Sequence, residues 1–310
     1  MGTVFFVNGF LEAGKTTFIK ELISRESFRI SGKTLIILCE EGDLEYEEAE
    51  LTGTNSVLEV IENEKDFNEE NILYLVRKHM PEQVIVEFNG MWDRKNLCFP
   101  GFWEDIMEIA VFDASTFKLC ADNMRSLLAE QVRNAELVIF YKADEVRDKL
   151  AVFARNIKAI NAQASFVFSG AEGDIILEPD ENLPYDIKSD HLELDDLGFA
   201  VMCMDSLERY EVYEGKKVHF IARAYEMKEN SDREFVAGRL ILTCCEYDLT
   251  FTGIICGYPK AYELDNKEWV EVTGLIRVAY DEEMDRDIPV CKVLDLKRCD
   301  APLNEFVSMI

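Results

Sequence analysis

The chain is 310 residues long and carries 33 Lys plus Arg against 61 Asp plus Glu, a formal net charge of -28. A surface this negative repels nucleic-acid phosphates and anionic headgroups, which sets aside nucleic acid and the membrane surface as partners. Nine cysteines, scattered and without a C-x-x-C pair, fit reduced thiols; with no basic-then-apolar leader and no apolar run of the roughly 18 residues a membrane span needs, a cytoplasmic protein without membrane insertion is expected.

The length exceeds that of an ordinary single domain, so two are expected. The first apolar run, TVFFV, leads into Gly9-Phe10-Leu11-Glu12-Ala13-Gly14-Lys15-Thr16, which satisfies G-x-x-x-x-G-K-[ST], and then into the helical spacing of KTTFIKELIS. Strand before and helix after is the context a phosphate loop requires. Its glycines let the backbone wrap an anion, and main-chain amides between Gly9 and Thr17 sit where the helix dipole favours negative charge. Lys15 supplies a point charge to the β and γ phosphates, and the Thr16 hydroxyl is placed to ligate Mg²⁺.

The runs TLIILC, QVIVEF, EIAVFDA, ELVIFY and SFVFS alternate with the helical segments NEENILYLVRKH and FKLCADNMRSLLAEQV and with a helix near Asp148 to Ile160. Near-continuous Val, Ile, Leu and Phe mark strands buried on both faces, and their alternation with helices marks βαβ units. The expected fold of residues 1–178 is an α/β P-loop NTPase domain, a mainly parallel sheet with helices on both faces. At the end of the second of these runs VIVEFNG places Glu87 as a second carboxylate for the metal, able to orient an attacking water, and Gly90 beside the γ-phosphate position. After a later strand stands Tyr141-Lys142-Ala143-Asp144, one residue away from N-K-x-D. Asp144 can accept from guanine N1–H and the exocyclic amine while the Lys142 stem covers the base, and adenine offers no such donor pair. Tyr141 in place of Asn removes an amide and is expected to loosen that specificity.

Together these motifs resemble the CobW-type GTPases, relatives of the hydrogenase and urease nickel-insertion GTPases. GFLEAGKTT is similar to their GFLGSGKTT, EFNG to their E-[ST]-x-G and YKAD to their NKxD, over roughly Gly2 to Gly170. CEEG, Cys39 to Gly42, is similar to their NEFG switch, which implies Glu40 as a switch carboxylate near Mg²⁺. Two departures stand out. Glu12 occupies a position where many members have Gly, so its side chain must point outward or weaken phosphate binding. The family's C-x-C-C metal motif is absent, because ELTGTNSVLEVIENEKDF holds no cysteine, and the motif's Zn²⁺ role is not carried over by these residues.

Residues 179–197, acidic with two prolines and no apolar periodicity, read as a linker or boundary strand. In residues 198–310 the stretches GKKVHFIARAYE, REFVAGRLILTCC, LTFTGIICGYP, EWVEVTGLIRVAY and IPVCKVLDLKRC suggest a small C-terminal β-barrel, OB-like, with little room for a long helix. Glu234 to Val278 resembles the C-terminal domain of YcgQ-type permease-subunit proteins, which implies a zinc-responsive setting with a permease or metalloprotein partner. Cys245 and Asp248 are the best metal pair there, against the commoner role of buried cysteine as packing. His79, His191 and His219 lie far apart in the chain and read as surface or hydrogen-bonded histidines rather than ligands.

The expected function is a Mg²⁺-dependent GTP-binding and GTP-hydrolysing switch. No catalytic base or arginine finger can be named, so turnover is expected to be slow and to draw on a protein partner or a homodimer. The alternatives are a non-hydrolysing, nucleotide-gated interaction module and an ATP-dependent kinase.

Overall fold

Buried on both faces, the apolar runs of the first half pair side by side in one direction. The computed structural model describes residues 2–28, 30–40, 42, 45–94, 97, 99–227, 233–242, 249–282 and 284–308. The chain divides into two units, Met1–Leu177 and Glu178–Ile310.

In the first unit the strands are β1 (Val4–Asn8), β2 (Thr34–Leu38), β3 (Ser56–Val60), β4 (Gln83–Glu87), β5 (Ile106–Asp113), β6 (Leu137–Tyr141), β7 (Ser165–Gly170) and β8 (Gly173–Asp174). Their order across the sheet is β3-β2-β4-β1-β5-β6-β7-β8; β1 to β7 are parallel and β8 is antiparallel. The helices are α1 (Lys15–Ser24), α2 (Glu48–Gly53), α3 (Glu69–His79), α4 (Ala114–Asn123), α5 (Arg125–Val132) and α6 (Leu150–Lys158). Alternate strand residues serve opposite faces. Val4, Phe6, Leu35 and Ile37 pack with Ile72 and Leu75 of α3, whereas Val7, Ile36, Ile109 and Val111 pack with Ile19 and Ile23 of α1. Helix α3 starts where Asn68 accepts from the Asn71 amide and ends in Arg77 and Lys78, whose positive side chains suit a helix C-terminus, followed by His79.

Two features differ from the sequence expectation. The segment FKLCADNMRSLLAEQV is broken between α4 and α5 at Met124, whose φ of -129° and ψ of 38° leave the helical region. Strand β3, which is not among the runs read from the sequence, is a half-exposed edge strand held by parallel pairing to β2. Its short run SVLEV is interrupted by Glu59, and the pairing partner supplies the specification.

In the second unit β9 (His191–Glu193), α7 (Asp196–Glu208) and α8 (Tyr210–Tyr213) precede β10 (Lys217–Glu226), β11 (Glu234–Leu242), β12 (Leu249–Gly257), β13 (Glu268–Asp281), β14 (Arg286–Arg298) and β15 (Phe306–Ser308). The five long stretches read from the sequence are β10 to β14. They run in the order β11-β12-β14-β13-β10, and the β10–β11 pairing closes them into an OB-like barrel with β12 and β14 parallel. Helix α7 corrects the expectation that a long helix would not fit. It spans 13 residues and begins where Asp195 accepts from the Gly198 amide. Phe199, Met202 and Cys203 then join Phe220, Val272 and Cys291 in the barrel core. Within 179–197, Ile187, Leu192 and Leu194 are buried in that same core. Among the described residues no helix is long and apolar enough to cross a membrane.

Candidate nucleotide-binding site

Strands β1, β2, β4, β5, β6 and β7 all end at the same edge of the sheet, and the residues just beyond their carboxyl ends form one site, as open parallel sheets favour. The turn from β1 to α1 is the G-x-x-x-x-G-K-[ST] loop. Gly14 has φ +99°, in the left-handed region, and a Cβ there would come within 2.8 Å of the Tyr141 ring, so both the turn and its packing require glycine. Lys15 is buried, and its ammonium donates to the carbonyls of Gly9 (2.9 Å) and Phe10 (2.8 Å) and to Glu40 Oε2 (2.6 Å). The long side chain thus folds back over its own loop and is fully partnered. The Ala13 amide donates to the Phe10 carbonyl at 3.2 Å, closing the turn.

Glu87, at the end of β4, is 2% exposed. It accepts from Thr16 Oγ1 and from the Tyr46 hydroxyl, both at 2.6 Å. Burial raises its pKa above the ordinary carboxylate value, and the two hydrogen bonds and the Lys15 charge only partly offset that rise. Cys39, between β2 and Glu40, is a buried thiol held well above its ordinary pKa, first by burial and then by Glu87 and Glu40. Thr16, Glu40 and Glu87 line a cavity of about 270 Å³ together with Glu12, Gly14, Lys15 and Thr17. That volume suits a polyphosphate tail rather than a whole nucleotide. A hydroxyl and two carboxylates form a hard oxygen set, and among the described residues no three His, Cys, Asp or Glu groups make a complete metal cage. This fits Mg²⁺, which takes one or two carboxylates and completes its shell with water and substrate phosphates.

The end where the sequence expects the base is built by β5, β6 and β7. Tyr141 packs its ring on Gly14 and donates its hydroxyl to Glu21 of α1 at 3.0 Å, so it ties the base loop to the phosphate loop. Lys142 adopts φ +53° and pairs with Asp113 at the end of β5. For Asp113 burial is the largest influence and raises the pKa, yet hydrogen bonds from Lys142 and Ser115 together hold it below its ordinary value. The Asp144 carboxylate accepts from the Ala171 amide at 2.5 Å, and a Cβ on Gly170 would meet it at 2.5 Å. A carboxylate has about four acceptor sites, so Asp144 keeps capacity for two more donors while the β7 turn fixes its direction.

The structure therefore gathers Glu12, Gly14, Lys15, Thr16, Thr17, Glu40 and Glu87 around one cavity, with Gly9 and the buried Ala13 forming the loop behind it. Lys142 and Asp144 stand at the same sheet edge. Gly90 is buried instead against the backbone of Gly9, which a Cβ would meet at 2.1 Å, and its carbonyl accepts from Gln131. Glu12 is exposed and lines the cavity mouth, with φ +59°. Glu40 serves here as the counterion of Lys15. Cys245 and Asp248 lie outside the described residues. Sequence reasoning missed Tyr46 and Asp113; for the latter the signal was D-A-S at a strand-to-helix junction, where Asp113 accepts from the Ser115 amide as an N-cap.

Residues 3–168 match the family model described as CobW/HypB/UreG, nucleotide-binding domain, and residues 178–308 match the DUF1980 C-terminal domain. No curated protein matches the chain. Among solved structures, the hydrogenase maturation factor HypB from Archaeoglobus fulgidus is 17% identical, with 55% of this chain and 82% of that chain covered and a TM-score of 0.41. The Zn(II)-bound YjiA GTPase from E. coli is 17% identical over 81% of this chain and 88% of that chain, with a TM-score of 0.40. HypB from Helicobacter pylori in complex with nickel is 16% identical over 55% and 79%, with a TM-score of 0.35.

Proposed function

Because this chain belongs to the CobW/HypB/UreG nucleotide-binding family, we propose that it is a Mg²⁺-dependent GTP-binding and GTP-hydrolysing switch protein of the cytoplasm. It acts in metal homeostasis, with a protein partner of permease or metalloprotein type engaged through the barrel domain. The observation that carries the reading is the placement of Lys15 and Thr16 at one end of a single sheet edge and Asp144 at the other, with Tyr141 bridging the two loops.

Lys15 neutralises the β and γ phosphates, exchanging its loop carbonyls and Glu40 for phosphate oxygens. Thr16, Glu40 and Glu87 would hold Mg²⁺, which when bound would supply further charge neutralisation at the phosphates. Glu87, once ionised, accepts a hydrogen bond from water at the phosphate end and orients it. Asp144 accepts from guanine N1–H and N2–H while Lys142, anchored by Asp113, lies along the base. Gly90, packed on Gly9, links the loop after β4 to the phosphate loop, so a change at the γ-phosphate is felt in the backbone beyond Glu87. A non-hydrolysing, nucleotide-gated module is the second reading. Glu12 favours it, since a carboxylate at the cavity mouth opposes the charge that builds up in phosphoryl transfer. An ATP-dependent kinase leaves the Asp144 carboxylate without a donor pair.

The test is Asp144→Asn with GTP, ATP and XTP. An amide presents one acceptor and one donor, matching xanthine N1–H and its 2-oxo group. GTP affinity is expected to fall by a factor of about 100, as loss of a charged hydrogen-bond pair costs roughly 2–3 kcal/mol, with XTP gaining relative to GTP. Wild-type preference for ATP, or unchanged GTP binding in the variant, overturns the guanine assignment.

A further inference from the structure

The chain has three histidines, and the outer face of the barrel gathers two of them. Leu192 of β9 and Val218 and Phe220 of β10 are buried in the core, so their alternating neighbours His191, Glu193 and His219 share the outward face. Strand β9 pairs in parallel with β10, with Glu193 opposite His219, and β13 on the other side of β10 brings in Glu271. Glu193 lies 3.1 Å from His191 Nε2 through one oxygen and 3.0 Å from His219 Nδ1 through the other. His219 Nε2 is 3.0 Å from Glu271 Oε1.

Both ring nitrogens of His219 therefore face carboxylate oxygens. A neutral imidazole has one N–H, so on one side a nitrogen lone pair would oppose an oxygen lone pair unless a positive charge lies between them. A proton does this, and so does a metal ion. We propose that His191 Nε2, His219 Nδ1 and the Glu193 carboxylate bind a first-row divalent cation such as Zn²⁺, with Glu271 accepting from His219 Nε2–H and holding the ring.

The arrangement has the chemistry such a site needs. Imidazole and carboxylate are ligands of Zn²⁺, and a carboxylate on the far nitrogen of a ligating histidine fixes its tautomer and direction. With bonds of about 2.0–2.2 Å and a tetrahedral angle, a bridged nitrogen and oxygen stand roughly 3.4 Å apart, a few tenths of an ångström beyond the present separations. Among the described residues no three donors yet surround one point. Glu193 stands between the two imidazoles, and a cation that replaces its two hydrogen bonds draws them around itself.

Two further observations point the same way. His219, Glu193 and Glu271 line a cavity of about 590 Å³ whose lining also holds Asp195 and Asp196 and contains no Lys or Arg among the described residues. Asp195 is committed to the Gly198 amide and Asp196 to Arg239, which leaves Glu193 and Glu271 facing the imidazoles. Three protein ligands, of which Glu193 and His219 line the open cavity, leave a coordination position for water or an incoming ligand, the pattern of an exchangeable rather than a structural ion.

The test uses the full chain, stripped with chelator and free of nucleotide, titrated with Co²⁺ alone and followed by its d–d absorption, then with Zn²⁺ alone in competition. One ion per chain with a tetrahedral or five-coordinate Co²⁺ spectrum is expected. Its affinity should fall at least about 10-fold in His219→Ala and in His191→Ala, and by about 10- to 100-fold in Glu271→Gln, which touches no metal. The same signal should persist in Thr16→Ala, which separates this site from any ion at the phosphate loop. Far-UV circular dichroism confirms that the variants are folded. No Co²⁺ spectrum in the wild type, or an unchanged one in the folded His191→Ala/His219→Ala double variant, overturns the proposal whatever the outcome with GTP.

Discussion

Replacing Lys15 by Ala is the usual way to disable a phosphate loop, and here it does a second thing. The Lys15 and Glu40 side chains are 4% and 9% exposed and meet at 2.6 Å. Lys15 also satisfies the carbonyls of Gly9 and Phe10. The Ala variant leaves a buried carboxylate without its cation, a change that costs about 3–5 kcal/mol. Thermal midpoints of domains of this size move by roughly 2–4 °C per kcal/mol, so the nucleotide-free first unit should melt on the order of 10 °C lower. Loss of GTP turnover in Lys15→Ala alone is therefore ambiguous between a missing charge and a failing fold. The pair Lys15→Met with Glu40→Gln removes both charges at similar volume and is expected to return to within about 1–2 kcal/mol of the wild type, since a buried ion pair and its apolar or neutral replacement are often nearly equal. The assay is a thermal melt of the nucleotide-free protein for both single variants and the double, followed by GTP turnover with Mg²⁺ well below the lowest midpoint. The double variant should be stable and inactive. A Lys15→Ala protein that melts with the wild type refutes the buried pair, and a stable double variant with wild-type turnover refutes the role of Lys15.

The parts of the site that were legible in the sequence are those whose chemistry is local. Gly9, Gly14, Lys15 and Thr16 announce themselves because a tight anion-wrapping turn dictates glycines at a fixed spacing from a helix start. Asp144 was legible because Tyr141-Lys142-Ala143-Asp144, directly after a buried strand, is one residue away from N-K-x-D. Tyr46 and Asp113 were not, since each acquires its role across the sheet: Tyr46 reaches Glu87 from 41 positions away, and Asp113 reaches Lys142 from 29. Tyr141 was read through what it lacks relative to Asn, whereas its ring and hydroxyl tie the two nucleotide loops together. In the barrel, five long strands were visible as strand-like stretches separated by short polar or glycine-containing turns. Strand β9 has three residues in an acidic stretch, too short for any period to show, and with it the approach of His191 to His219 stayed hidden.

Two further outcomes test the electrostatics of the phosphate end. Glu12→Gly replaces a side chain at φ +59° by the residue that tolerates that conformation, and should stabilise the protein by about 1 kcal/mol, seen as a rise of roughly 2–4 °C in its melt. The same change removes a negative charge from the cavity mouth and should tighten GTP binding several-fold by calorimetry; a weaker complex would mean that Glu12 contributes a contact of its own. Glu87 predicts a dependence on pH whose sign differs between stability and binding. Its pKa is raised by burial, so the protonated form favours the fold: this contribution is full below the unfolded value of about 4.3 and is lost as pH rises through the higher folded value. Metal binding needs the ionised form, and Mg²⁺-dependent GTP affinity should decline as pH falls through that same raised value, above the range where an exposed carboxylate titrates. Glu87→Gln removes the titrating proton. It should melt no lower than the wild type at neutral pH, lose about 10- to 100-fold in Mg²⁺-dependent affinity, and show none of the wild-type pH slope in either measurement. A wild-type slope preserved in this variant would assign the titration to another group and leave Glu87 as a neutral bridge between Thr16 and Tyr46.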